Sequence, residues 1–161
     1  MPHEGPNPGM VEGLDERWAR LLLVAFQTYG AFEQKAAEAG LTLPQALTLN
    51  VIGSRRTAAM GEVADCLRVD ASNMTGVVDR LEQRGLVERR PSTDDRRIKT
   101  LVLTSAGRAA RDRLLAALRE PPPLYGALPA AAGERLSRLL AEALGAGEDG
   151  DGPRRAGPRR P

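Results

Sequence analysis

The chain is poor in the side chains that do covalent and metal chemistry. Its 161 residues include one cysteine, Cys66, and one histidine, His3. A single cysteine excludes an intramolecular disulfide. The histidine sits in the Pro/Gly-rich opening MPHEGPNPGM. A zinc site, a Ser-His-Asp triad or a Cys-His pair therefore has almost nothing to be built from. The acids are scattered over amphipathic segments, with no nucleophile–base pair and no phosphate loop, so neither enzymatic activity, cofactor nor metal is expected. Aromatics number one Trp, two Tyr and two Phe. The core must then be mostly Leu, Val and Ala. No apolar run is long enough to span a bilayer, and the N-terminus lacks the charged-then-apolar layout of a signal peptide. A soluble cytoplasmic protein with no membrane partner is the expectation. Charge of one sign does not dominate either: a net +2 permits nucleic acid without arguing for it.

What is present is a run of amphipathic segments, enough for one domain. Residues 1–13 are expected to be a disordered tail. So are residues 145–161, whose Gly, Pro and Arg cannot bury enough apolar surface to fold. From Leu14 to Ala39 apolar residues recur at helical spacing, among them Trp18, Leu22, Phe26 and Tyr29. The simpler reading packs this stripe on the domain's own core. The sharper one packs part of it on a second subunit or around a ligand. Thr42-Leu43-Pro44-Gln45 reads as a capping box that opens a second helix, with Ala46, Leu47, Leu49, Val51 and Ile52 supplying core. Arg55-Arg56-Thr57 reads as a loop. Met60–Leu67 is a short helix with Val63, Ala64 and Leu67 inward, and Arg68–Ala71 a turn. A helix from Ser105 to about Arg119 must end at Pro121-Pro122-Pro123. A last helix spans about Ala130–Leu144.

The stretch Asp70–Thr104 organises the rest. Ser72 reads as an N-cap, Met74, Val77, Val78 and Leu81 as an apolar stripe, and Gly85 as the helix end. The opposite face, Ser72, Gly76, Asp79 and Gln83 flanked by Asn73, Thr75 and Arg80, is small and polar. It suits a DNA major groove. Leu86–Arg90 and Ile98–Leu103 then read as a β-hairpin around the turn residues Pro91–Asp95. Arginines near its tip suit the negative potential of a minor groove. Two such units on one two-fold axis would read a pseudo-palindrome.

Val78-Asp79-Arg80-Leu81, Gly85-Leu86-Val87, Arg89, Asp95-Arg96-Arg97, Leu103-Thr104 and Gly107 together resemble the winged helix-turn-helix of the MarR family of bacterial regulators. The resemblance implies a mainly α fold with a small β-hairpin wing. The winged helix-turn-helix would occupy about 42–104, and dimerisation helices about 14–39 and 105–144, within one domain of 14–144. It implies a homodimeric transcriptional regulator, more often a repressor, on a pseudo-palindromic double-stranded operator. A small anionic aromatic or lipophilic ligand would release it. DNA contacts would then come from Ser72, Asn73, Thr75, Gly76, Arg80, Arg89, Arg96, Arg97 and Lys99, with Asp95 holding Arg97 in the minor groove. A ligand pocket or dimer interface would involve Trp18, Leu22, Phe26, Tyr29 and Ala46. Two departures are visible. Gly76 stands where the family often has arginine, which shifts specificity towards DNA shape. Ala46 stands where it often has an aromatic, which would enlarge a pocket.

The alternative is a winged-helix module for protein contact that no longer binds DNA specifically. Cys66 is expected to be a small buried hydrophobe rather than a redox switch, since no histidine or second cysteine accompanies it. The sharpest test of the wing is Arg97→Ala. It is expected to weaken operator binding by about 1–3 kcal/mol, measured by fluorescence anisotropy at fixed salt, and unchanged affinity would remove Arg97 from the interface.

Overall fold

The computed structural model describes residues 8–55, 57–91 and 99–145. They fall into two units, one ending at Glu120 and one starting at Pro121. In the first, Pro8–Val11 form one 3-10 turn within the segment expected to be a disordered tail. Helix α1 (Glu16–Glu38) follows. Asp15 caps it: one carboxylate oxygen accepts from the N–H groups of Arg17 (3.0 Å) and Trp18 (3.3 Å). The Arg17 side chain also donates to that carboxyl, and these bonds hold it below its ordinary value of 3.8. Only Ala36 of α1 is buried, with Phe32 packed against the core from its edge.

Helix α2 (Leu43–Arg55) is the centre of the unit. Leu43, Gln45, Ala46, Thr48, Leu49, Val51 and Ile52 are buried along it, far more than one stripe of a surface helix. One half of the capping box forms, the Thr42 N–H donating to Gln45 Oε1 at 3.1 Å. Arg55 belongs to this helix and not to a following loop, while Arg56 lies outside the described residues. A two-residue strand β1 (Ala58–Ala59) precedes α3 (Met60–Leu67). Sequence patterning did not reveal β1, because two alanines carry no strand signal of their own.

Arg68 turns left-handed after α3, at φ 53°, and the chain re-enters helix at α4 (Ala71–Gln83). The cap is therefore Asp70, extended and making no side-chain bond, not Ser72. Ser72 is already one turn-position inside the helix. The tight connection decides this, since the Val69 N–H is bound back to Ala64 O at 3.0 Å and leaves no slack for a later start. Met74, Val78 and Leu81 are buried as the stripe requires, and Val77 packs at its margin. Gly85, at φ 67°, ends the helix turn as expected.

The wing strands are β2 (Val87–Pro91) and β3 (Lys99–Leu103). They pair antiparallel from Val87↔Leu103 to Pro91↔Lys99. Strand β3 also pairs with β1, so the sheet order is β1-β3-β2. Val87, Leu101 and Leu103 face the core. Helix α5 (Ser105–Ala117) follows, stopping before the expected Arg119, with Ala110 and Leu114 buried. At its start Thr104 Oγ1 accepts from the Gly107 N–H (3.0 Å) and donates to Gly85 O (2.7 Å).

The second unit holds α6 (Pro123–Gly126) and α7 (Ala130–Ala143). The preceding helix has already ended at Ala117, short of the triple proline expected to stop it, and Pro123 instead opens α6, where a missing N–H costs nothing. Leu139, Leu140 and Leu144 are exposed.

At Gly107 a Cβ would lie 1.9 Å from Leu86 O, a backbone atom that cannot move aside. Gly107→Ala is expected to lower stability by about 1–3 kcal/mol, read as a shift of the urea midpoint at unchanged slope.

Candidate nucleic-acid interface

Once Met74, Val78 and Leu81 are seated in the core, α4 has its other face free. Ser72, Asn73, Thr75, Gly76, Arg80 and Gln83 are all exposed, and Asp79 is half-buried. The structure thus brings the five α4 residues singled out from sequence onto one outward surface. Thr75 spends its hydroxyl proton on Ala71 O, at 2.9 Å, and keeps an acceptor and a methyl for a partner. A Cβ at Gly76 would have nothing within 4 Å. Its lack of a side chain therefore answers no packing demand inside the subunit. Arg80 has Gly76, Val77, Gln83 and Arg84 at the three- and four-residue spacings, so no acid on its own helix competes for it.

The wing differs from expectation at Arg89. Its guanidinium grips two carboxylates of α4, Asp79 at 2.6 Å and Glu82 at 2.7 Å. The three side chains are only 27%, 45% and 38% exposed. Arg89 is thus a brace between wing and helix, not a cation held ready for phosphate. The register explains this: β2 leaves α4 through the Gly85 turn and runs back beside it, bringing Arg89 level with Asp79 and Glu82. Arg90 pairs with Glu88 on its own strand. Lys99 is exposed at the outer end of the ladder, opposite Pro91. Asp95, Arg96 and Arg97 lie outside the described residues, as does Ile98.

Sequence patterning missed a second arginine anchor. Arg84, just past α4, donates to Gln45 Oε1 (2.9 Å) and to Gly40 O (2.8 Å). The only signal was that a capping-box glutamine has lone pairs to spare.

The pocket candidates separate. Trp18, Phe26 and Tyr29 are 51%, 44% and 59% exposed, and Leu22 is half-buried. Ala46 is fully buried in the core. Its side chain belongs to the core cluster, whereas Trp18, Phe26 and Tyr29 lie on the outer surface of α1. Of the α1 aromatics only Phe32 packs on the core; Trp18, Phe26 and Tyr29 face away from it. Cys66 is exposed, against the expectation of burial. An eight-residue helix has room for a narrow inner stripe, and Val63 and Ala64 fill it.

A family model described as MarR family matches residues 39–98. The HTH-type transcriptional repressor NicR of Pseudomonas putida is 31% identical over 140 residues, covering 86% of this chain and 87% of that protein. A cysteine-to-serine variant of MarR from E. coli, complexed with operator DNA, is 25% identical. That alignment covers 80% of this chain and 94% of the other at a TM-score of 0.69. CouR from Rhodococcus jostii, bound to p-coumaroyl-CoA, is 27% identical over 80% of this chain and 92% of its own, at a TM-score of 0.65.

If Arg89 is a brace, its loss strands two half-buried carboxylates. Arg89→Met is expected to cost about 1 kcal/mol, since partial exposure screens both pairs. Urea unfolding should show that loss shrinking as salt is raised; equal loss at every salt concentration would mean packing, not charge, is what Arg89 contributes.

Proposed function

This chain belongs to the MarR family, and from that premise we propose that it is a homodimeric, sequence-specific DNA-binding repressor released from its operator by a small molecule. One observation carries the reading. The polar face of α4 stands clear of the core, seated from behind by Met74, Val78 and Leu81 and braced from the wing by Arg89. A helix held that rigidly with its small polar side outward is suited to entering a major groove. Ser72, Asn73 and Thr75 lie in its first turns, where backbone N–H groups and the helix dipole favour phosphate. Gly76 lets the backbone approach closely, and Arg80 adds the charge. Arg96, Arg97 and Lys99 would take the adjacent minor groove and backbone, with Asp95 orienting Arg97.

Exposed Trp18, Leu21, Val24, Phe26 and Tyr29 on α1, and Leu139, Leu140 and Leu144 on α7, are the surfaces a second copy would cover. The domain would then run over residues 14–144, with 1–13 and 145–161 as tails. No helix among the described residues is long and apolar enough to cross a membrane, which fits a regulator working in the cytoplasm, and the family's role leaves no need for catalysis. The related repressor, the operator complex and the acyl-CoA complex supply the precedents for repression, DNA and ligand. An anionic aromatic or lipophilic compound bound beside α1 would act by preferring a half-site spacing that no longer fits DNA. It can shift the balance only by its difference in affinity for the two states.

The test is fluorescence anisotropy on the DNA flanking the protein's own gene, across a salt series, with random DNA alongside. The expected result is two subunits per site and a preference of at least about 1,000-fold over random DNA. Weak and equally salt-steep binding to both would reduce the interaction to phosphate attraction, and would favour the protein-contact module instead.

A further inference from the structure

Three helices meet at one guanidinium. Arg84 follows the last residue of α4. It donates to the carbonyl of Gly40, just past the C-terminus of α1, at 2.8 Å. It also donates to Gln45 Oε1, in the first turn of α2, at 2.9 Å. Gln45 is 7% exposed, and the same oxygen accepts the Thr42 N–H at 3.1 Å. One planar fork therefore sits at the negative ends of two helices, α1 and α4, and on the cap of a third.

Its place around α4 gives this a purpose. At about 100° per residue, Asp79 and Glu82 lie on one flank of the helix and Arg84 on the opposite one. The apolar stripe lies between them. The wing holds the first flank through Arg89, and the α1–α2 corner holds the second through Arg84. The helix is thus seated on three sides. Its thirteen residues make it roughly 20 Å long. A tilt of about 3° at the Arg84 end then moves the Ser72–Thr75 end by about 1 Å, which is enough to spoil aligned hydrogen bonds.

We infer that Arg84 is a positioning residue for operator recognition: it sets the tilt of α4 against the α1–α2 corner without itself touching DNA. This rests on the function proposed above. It also gives movement at the C-terminus of α1 a direct mechanical path to the recognition helix.

The test compares Arg84→Lys and Arg84→Met with the wild type, on operator and on random DNA across a salt series, at a temperature where circular dichroism shows each variant folded. Lysine keeps the charge but offers a single rotatable ammonium in place of the planar fork whose two nitrogens each hold one acceptor. Methionine keeps the stem and loses both. Positioning predicts that both variants lose operator affinity, by roughly fivefold or more, with random-DNA affinity and the salt slope of the lysine variant unchanged. If Arg84→Met does not fold, Arg84→Lys alone decides. Operator affinity retained by the lysine variant overturns the inference. A loss shared equally by operator and random DNA, with a salt slope smaller by about 1, also overturns it and makes Arg84 a phosphate contact. Should the wild type itself fail to distinguish the two DNAs, the proposed function falls, and this inference with it. A discriminating wild type with an unaffected lysine variant sinks the inference alone.

Discussion

Where Gly107 meets Leu86, two backbones touch with no side chain between them. The geometry of the DNA-binding half depends on that contact. Thr104 sits beside it and binds three ways: its N–H to Leu86 O at 3.2 Å, its hydroxyl proton to Gly85 O, its oxygen from the Gly107 N–H. The exit of α4, the exit of β3 and the start of α5 are thereby fixed to one another within a few ångströms. Only a glycine permits the approach, and the Thr104 hydroxyl gives and accepts there through a single oxygen. The angle at which the wing leaves the recognition helix follows from this junction. So does the register that brings Arg89 beside Asp79 and Glu82.

That register changes the electrostatics of the surface. From sequence, seven basic and five acidic residues lie between Ser72 and Lys99, a small surplus for a nucleic-acid site. In the structure the charges are not equivalent. Arg84 and Arg89 are used inside the subunit, and the latter quiets two acids that would face phosphate. Arg90 is paired with Glu88. The described part of the face is left with Arg80 and Lys99 as its outward cations. Discrimination between sequences must then come from shape, from short polar side chains and from the wing tip more than from bulk charge.

Features set by a local rule were legible in the sequence. The apolar stripe of α4, the Gly85 turn, the Gln45 half of the capping box and the strand β3 each need only nearby residues, and each was visible. What was not visible depends on partners distant in the chain. Ala58–Ala59 becomes a strand because β3 passes beside it. Asp70 replaces Ser72 as cap because the turn from α3 is pulled tight. Arg89 looked like a phosphate ligand because nothing local shows that β2 doubles back along α4. Arg84 had no role at all until Gly40 and Gln45, 44 and 39 residues away, were placed beside it. Within the site the side-chain inventory could be read, but not which cations were already taken.

Helix α1 likewise depends on partners outside its own sequence. A helix of 23 residues with one buried side chain gains little from its own subunit. In water its stability depends on burying the aromatic side chains it displays. A second copy is the partner the family supplies, and covering that stripe would stiffen α1 along its length. The end of α1 is also where Gly40 meets Arg84. Association and recognition would then share one rigid lever, with subunit contacts setting α1, α1 setting its corner with α2, and that corner setting the tilt of α4. A ligand lodged anywhere along that lever could act on DNA without approaching the recognition face, provided it binds one setting of the lever more tightly than the other.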